Sequence, residues 1–291
     1  MKRLTAIILG IALAAAAAAE EVNRTMDAAP DGHVHISNIS GSVSVSGWSR
    51  DEVEVTGKIG PKVEELIFER SGDRITIKVK VPKKSGRGVE SDLDVRVPAG
   101  SSLDVGTVSA DIEVTGVRGE QKLEAVSGDI ETECDDADVS AGTVSGDVVI
   151  RGKGKDNETH SASVSGDVDL YQLAGEVFAE SVSGDLTIED GSFDRASFNV
   201  VNGDIIFHSE LRSGGKLKAE TVNGEVDLRF TGDIAGQFDV DTFNGDIDNC
   251  FGPKPKRTSK YAPGMELSFT EGNGDARITI STVNGDITVC K

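Results

Sequence analysis

Acidic side chains recur at one position of a repeated five-residue pattern, and they are the first groups in the sequence that could do chemistry. The pattern is an apolar residue, Ser or Asn, Gly or Ala, an acid and a second apolar residue, as in Val126 to Ile130. If the repeats stack as neighbouring strands, the carboxylates would lie about 4.8 Å apart, a spacing that suits bound cations such as Ca²⁺. We expect instead that each acid caps its own corner, because the Gly-rich nonapeptide repeat of calcium-binding β-rolls is absent. The acids are Asp111, Asp129, Asp147, Asp167, Asp185, Asp204, Glu225, Asp246 and Asp286.

A basic segment interrupts a strongly acidic chain. The sequence carries 30 Lys plus Arg against 50 Asp plus Glu, a formal charge of −20, which disfavours nucleic acid as a partner. Residues 250–265 contain no acid, and their four cations predict a site for an anionic partner. The alternative is a Pro-rich loop that binds nothing. The cations are Lys254, Lys256, Arg257 and Lys260.

The remaining residue patterns predict neither catalysis nor metal binding. The sequence contains no G-x-S-x-G, Walker loop or Cys/His nucleophile arrangement, and its four histidines are dispersed. Sugar-active clefts depend on exposed aromatic rings, and beyond ten Phe the sequence offers only Trp48, Tyr171 and Tyr261. We therefore predict no enzyme activity, no cofactor and no metal site. A polysaccharide-active β-helix enzyme is the alternative.

The repeats predict the fold that must position these residues. They recur about every 20 residues, which is typical of a solenoid. In one unit Leu103 and Val105 precede Val108, and Ile112 and Val114 follow the turn. Alternation of period two predicts strands on both sides of a tight corner, and no helical stripe is present. The fold class is therefore all-β, a single-domain parallel β-solenoid (β-helix) of about 20-residue coils.

The order of the units also favours stacking. Five Ser units come first and four Asn units follow, so that like units are neighbours. Identical Asn side chains in adjacent parallel strands can form a hydrogen-bonded ladder. Duplication within each block would give the same order. The Asn residues are Asn202, Asn223, Asn244 and Asn284.

The three cysteines predict one disulfide and one free thiol. Cys250 and Cys290 each lie five residues after the Gly of their unit, on the outward phase of coils that should be neighbours. A spacing of about 4.8 Å falls within the Cα window of about 4.4 to 6.8 Å for a disulfide. Cys134 lies on the inward phase and should be buried and free.

The N-terminal region combines an export signal with an irregular β segment. Lys2 and Arg3 precede an uncharged apolar run that ends in three Ala, which predicts a cleavable signal peptide over residues 1–19. We expect no transmembrane segment, because the run is shorter than the roughly 20 residues of a span, and a soluble periplasmic or secreted product. Residues 20–100 should form an N-terminal β cap with the first coils, including a degenerate unit at residues 33–45. They continue into the solenoid repeats of residues 101–291 as one domain.

Several segments together resemble a known family. They are Gly41 to Trp48, Asp92 to Gly100, the TVSGD and TVNGD units, and the closing Gly272 to Ile287. They resemble the bacterial exported β-strand-repeat family of unknown function that is often labelled "putative adhesin". The resemblance spans roughly residues 30–290, implies a β-solenoid in the bacterial envelope and brings no catalytic residues.

The predicted function is a non-enzymatic exported envelope protein, either an adhesin-like binding protein or a structural scaffold. Its expected partner is an envelope macromolecule such as an anionic polysaccharide or a protein. An envelope-stress signalling or maintenance factor is a further alternative.

Overall fold

The computed structural model describes residues 20–83, 88–259 and 263–291. Every regular element in these ranges is a β-strand, and the strands join into one sheet. This confirms the prediction of an all-β chain. The predicted signal peptide, residues 1–19, lies outside the described residues. Among the residues that are described, no helix is long and apolar enough to cross a membrane.

The N-terminal segment contains a first coil and a cover of antiparallel strands. Its strands are β1 (Glu20–Asp27), β2 (His33–Trp48), β3 (Glu52–Ile59), β4 (Glu65–Ser71), β5 (Arg74–Lys80) and β6 (Ser91–Pro98). Strand β2 pairs in parallel with β5 and β6 at one edge. Beyond these, β4 pairs antiparallel with β5, while β3 pairs antiparallel with β6 and β1 with β3. The antiparallel strands end the parallel pairing on this side.

The repeat units follow as pairs of strands on either side of a corner. Their strands are β7 (Ser102–Thr115), β8 (Gln121–Ser127), β9 (Ile130–Glu133), β10 (Val139–Ser145), β11 (Val148–Arg151), β12 (Asp156–Ser165), β13 (Val168–Tyr171), β14 (Ala174–Ser183), β15 (Leu186–Asn202), β16 (Ile205–Asn223), β17 (Val226–Phe230), β18 (Gly236–Asn244) and β19 (Ile247–Asn249). Strand β2 pairs with β7 in register, with Ser40 opposite Ser109. Farther along, Ser145 pairs with Ser127 on one side and Ser165 on the other. Equivalent residues of successive units therefore lie side by side.

The last unit in the chain is not the last in space. The remaining strands are β20 (Lys256–Arg257), β21 (Met265–Glu271), β22 (Ala276–Asn284) and β23 (Ile287–Cys290). Strand β22 pairs in parallel with both β16 and β18, and β23 with both β17 and β19. The unit of Gly285 is thus inserted between the units of Gly224 and Gly245. Strand β21 pairs antiparallel with β18, and β20 pairs antiparallel with β21. The segment between Gly245 and Gly285, which contains these two strands, therefore covers the C-terminal end of the stack.

The core is aliphatic along most of its length and aromatic near the C-terminal end. Buried Val, Ile and Leu side chains from alternate strand positions form one continuous cluster. Phe207 lies at the centre of the aromatic part, with its ring centroid 6.0 Å from that of Phe193, 5.9 Å from Phe198 and 5.8 Å from Phe230. At the C-terminal end, Phe269 of β21 stacks on Phe238 of β18 at 4.5 Å. This apolar contact attaches the covering strand to the outermost unit.

Candidate binding surfaces

The corner of most units turns a Thr or Ser inward, with Ala125 and Val200 as the exceptions, and the following apolar residue outward. Thr143 is buried, and its hydroxyl donates a hydrogen bond to the carbonyl oxygen of Gly128 in the preceding unit, at 3.1 Å. Thr221 and Thr282 make the equivalent bond, each at 3.1 Å, to the corner glycine of the unit beside them. The hydroxyl gives a corner carbonyl a partner inside the body. The residue after it, Val144 in the first case, therefore lies on the outside.

The acids of the repeated five-residue pattern, which we call the acidic column, link neighbouring units. The prediction that each acid caps its own corner was wrong. The backbone N–H of Asp147 donates to Oδ1 of Asp129 at 2.9 Å, and that of Asp167 donates to Oδ1 of Asp147 at 2.8 Å. The same bond recurs at Asp129, Asp185, Asp204, Glu225 and Asp246. In-register stacking places each N–H beside the carboxylate of the adjacent unit, so that carboxylate is the available acceptor. In the part of the chain that the structure describes, no group of three or more His, Cys, Asp or Glu is arranged to hold a metal ion.

The Asn side chains form the ladder that the sequence favours. Asn223 donates to Oδ1 of Asn202, Asn284 to Asn223, and Asn244 to Asn284, each at 2.8 Å. The ladder follows the spatial order of the units, with Asn284 between Asn223 and Asn244. It therefore reports the same insertion of the last unit as the strand pairing does.

The basic segment lies at the C-terminal end of the stack. Lys256 and Arg257 form β20, with Lys256 opposite Glu266 of β21. Lys254, Lys256 and Arg257 are exposed, and none of them forms an ion pair with another described residue. Lys260 lies outside the described residues. The structure therefore brings three of the four predicted cations together on one short stretch at the edge of the cap.

The aromatic residues considered for sugar binding lie apart, and each has an Arg against its ring. The guanidinium of Arg50 lies 4.9 Å from the Trp48 ring centroid, and that of Arg151 lies 4.7 Å from the Tyr171 centroid. Trp48 ends β2, whereas Tyr171 ends β13, which belongs to a unit four steps along the stack. The two rings do not form a shared platform. Tyr261 lies outside the described residues.

A row of exposed apolar side chains, which we call the valine ridge, was not predicted from the sequence. Its members lie directly after the last inward position before each corner and are stacked in successive units, each between 41% and 54% exposed. They are Val108, Val126, Val144, Val164, Val182, Val201, Val222, Val283 and Phe243. The alternation itself carries the signal, since inward positions counted from Leu103 and Val105 continue to Thr107. By that count Val108 faces outward.

The C-terminal part of the chain matches a known protein family. The profile of the family described as Toastrack DUF4097 matches residues 174–290. This match confirms the predicted family resemblance. The segment that matches the Toastrack profile includes the Asn ladder, the inserted last unit and the basic segment. No curated protein matches the chain.

One solved structure shares the fold of the chain, and others match it more weakly. A crystal structure described as a putative adhesin from Bacteroides fragilis superposes with a TM-score of 0.50 at 10% identity, covering 92% of this chain and 96% of that one. A structure described as a putative lipid binding protein from Parabacteroides distasonis gives a TM-score of 0.45 at 16% identity, with coverage of 92% and 96%. A putative adhesin from the same species gives 0.34 at 10% identity, with coverage of 94% and 98%. At these identities the first comparison shows the shared fold alone.

The cysteines divide between the Toastrack segment and the region before it. Inside the segment, Cys250 and Cys290 form a disulfide with their Cα atoms 4.9 Å apart. Cys134 precedes the segment, is buried and is free, with the amide of Asn157 3.5 Å from its sulfur. Burial raises the pKa of the Cys134 thiol, which keeps it protonated and unreactive. The disulfide therefore fixes the start of the segment between β19 and β22 to the end of β23.

Proposed function

We propose that this chain is an exported, non-enzymatic envelope protein whose parallel β-solenoid presents a basic end to an anionic macromolecule, in the manner of an adhesin. The observation that carries the proposal is the position of Lys254, Lys256 and Arg257, exposed at one end of the stack and without ion pairs among the described residues. The chain as a whole has a formal charge of −20. An acidic polysaccharide would be repelled by most of this surface and attracted at the basic end.

The support of the basic segment favours binding. Cys250, just before the segment, is fixed by the disulfide to Cys290. On the other side, β21 pairs with β18 along seven residue pairs and packs Phe269 against Phe238. Cations held at both ends of a short segment lose less conformational entropy on binding than those of a free tail. A partner with regularly spaced carboxylates or phosphates would therefore be bound mainly through charge.

The test replaces Lys254, Lys256, Arg257 and Lys260 together by Ser and measures retention of the protein on immobilised acidic polysaccharide. We expect the unmodified protein to be retained at low salt and released at high salt, since exposed charges are screened over about 8 Å at physiological ionic strength. The variant should not be retained at either salt concentration. A matched control replaces four exposed lysines at the opposite end and should be retained like the unmodified protein. The control positions are Lys58, Lys62, Lys78 and Lys83.

Two results would contradict the proposal. Equal retention of the basic-segment variant and the unmodified protein at low salt would remove this segment as the binding site. Turnover of the polysaccharide during the assay, measured as new reducing ends, would overturn the non-enzymatic part of the proposal.

A further inference from the structure

The valine ridge is a long surface feature that neither the fold nor the proposed function uses. It places one apolar side chain on the outside of each of nine successive units. Ile39, which is half-buried, continues the row into the first coil, because its neighbours Asn38 and Ser40 pair with Thr107 and Ser109. At about 4.8 Å per unit, nine units extend the ridge over about 38 Å. Isolated exposed apolar residues are ordinary, whereas an unbroken row of this length marks an interaction surface.

Strand formation does not require valine at these positions. Thr has a similar β propensity and would present a hydroxyl to water. The outward position two residues earlier is polar or small in every unit, as at Gly106, Glu124 and Asn199. The column of the ridge is therefore apolar in all nine of these units, whereas the outward column two residues earlier carries no large apolar side chain. Folding gains little from side chains that remain 41% to 54% exposed.

Grooves run beside the ridge. One has a volume of about 470 Å³, and its lining includes Val108, Val126 and Val144 beside Gly106 and Gly142. The glycines have no side chain, so they leave room for the side chains of a partner. A second groove, of about 270 Å³, continues along Val164, Val182 and Val201. The ridge and its grooves thus offer alternating apolar projections and depressions.

Carboxylates border the ridge on both sides. The acidic column lies three residues after it, and its described hydrogen bonds are to backbone N–H groups rather than to cations, as at Asp147. On the other side, Glu124 and Glu180 line the grooves. Glu124 is paired with Lys122 at 3.0 Å, while Glu180 has no ion pair among the described residues. The apolar row therefore has a continuous line of carboxylates on one side and scattered carboxylates on the other. This border repels an anionic lipid surface or a second copy of this acidic chain and attracts a cationic partner.

We propose that the valine ridge is a docking surface for a cationic amphipathic helix of a partner polypeptide. The apolar seam of the helix lies on the ridge, and its Lys and Arg side chains reach the carboxylates on either side. One helical turn rises 5.4 Å, about 0.6 Å more than the spacing of the units. Over about four turns, the apolar side chains of the helix therefore stay within half a unit spacing of the ridge side chains. In an extended peptide, side chains on one face repeat at about 6.7 Å and lose register within two units. This surface is distinct from the basic segment, and the inference does not depend on the proposed function.

The test measures binding of a synthetic 18-residue peptide of Leu and Lys arranged as an amphipathic helix, by fluorescence anisotropy at low salt. We expect saturable binding, with a gain of helical circular dichroism in the peptide. Replacing Val144, Val164 and Val182 together by Thr should raise the Kd at least tenfold. A matched control replaces the outward polar residues Ser140, Thr187 and Ser197 by Ala and should leave the Kd unchanged.

A second variant tests the charges without removing the ladder. Replacing Asp147, Asp167 and Asp185 by Asn keeps an oxygen that can accept each backbone N–H, so the fold should persist, as checked by circular dichroism. Its Kd should rise several-fold, and a peptide with Glu in place of Lys should not bind the unmodified protein.

Four results would overturn the inference. The first is unchanged affinity of the folded Thr variant for the amphipathic peptide. The second is equal affinity of the unmodified protein for a peptide of the same composition in scrambled order. The third is a dimer of the unmodified protein, seen by sedimentation, that the Thr variant loses, which would assign the ridge to self-association. The fourth is binding to neutral phosphatidylcholine vesicles that the Thr substitutions abolish, which would assign it to lipid.

Discussion

The disulfide between Cys250 and Cys290 should hold the C-terminal end of the body mainly by restricting the unfolded chain. Its two half-cystines are separated by 40 residues, a segment that contains the basic segment, the covering strand and the inserted strand β22. In the chain-entropy model, closing a loop of this length removes about 13 cal/mol/K from the unfolded state, or about 4 kcal/mol at 25 °C. Strand β23 pairs with β17 and β19 through its backbone, so those hydrogen bonds remain after reduction. We therefore expect reduction to lower stability and to leave the native circular dichroism unchanged.

The assay is urea unfolding of three samples: the oxidised protein, the protein in reductant, and a variant with both Cys250 and Cys290 replaced by Ser. The oxidised protein should unfold at the highest urea concentration, with the other two lower and close together. Reductant added to the double variant is the control and should change nothing. Coincident transitions for the oxidised and reduced protein would refute the reasoning, since they would mean that the 40-residue loop does not limit the unfolded ensemble.

Three further predictions use the same unfolding assay. Phe207→Ala should cost about 3 to 5 kcal/mol, because it removes a fully buried ring at the centre of the aromatic core, and a loss below about 1 kcal/mol would contradict that role. Asn284→Ala should cost about 1 kcal/mol more than Asn244→Ala, because Asn284 both donates and accepts in the ladder whereas Asn244 only donates; equal losses would contradict the spatial order. Burial raises the pKa of Asp169 above its usual 3.8, so the folded state binds this proton more tightly than the unfolded state and stability falls as pH rises above about 4. Asp169→Asn should reduce that fall, and parallel pH profiles for variant and parent would count against the burial.

The fold class could be predicted because its signals are local and repeated. Alternation on both sides of the corner specifies strands, and a constant offset of the corner glycine specifies register. At Gly203, an added Cβ would overlap the carbonyl oxygen of Gly184 in the neighbouring unit, so close stacking itself requires glycine there. The offset of five residues from corner to cysteine is the same kind of local signal. It places Cys250 beside Cys290 whichever unit is outermost.

The order of the last units could not be predicted, because their contacts are nearly interchangeable. The units of Gly224, Gly245 and Gly285 carry the same Asn-Gly corner, and each could stack on either of the others with the same ladder bond. The choice depends on the segment between Gly245 and Gly285, which forms β21 and covers one edge of β18. With that edge covered, β22 pairs with the other edge. A long-range choice of this kind leaves no periodic signal in the sequence.

The candidate binding surfaces were predicted only in part, for a related reason. Composition alone locates the basic segment, because Lys254, Lys256 and Arg257 contrast with an acidic chain. The valine ridge does not contrast with anything, since Val in a strand is ordinary until its orientation is known. The partner of each acid has the same difficulty. Whether Asp147 caps its own corner or accepts from Asp167 depends on the stagger between units, which the spacing of residues along the chain does not specify.

The edge strands at the two ends of the stack determine whether a partner can bind there by strand addition. The strands at the ends of the pairing are either short or carry charged side chains: β19 has three residues and β20 has two. The longer edge strands are charged, with Glu20, Glu21 and Arg24 in β1, Glu65, Glu69 and Arg70 in β4, and Glu266 and Glu271 in β21, which β20 covers only at Met265 and Glu266. Short and charged edges oppose the addition of a further strand. A partner that adds by strand pairing is therefore disfavoured at either end. At the ends, a partner can be recognised through charge, as at the basic segment. Apolar recognition is possible on the long side of the stack, where the valine ridge lies. The same regular pairing that leaves no open strand edge along that side also holds its side chains at a fixed spacing, which is the property that a helical partner would require.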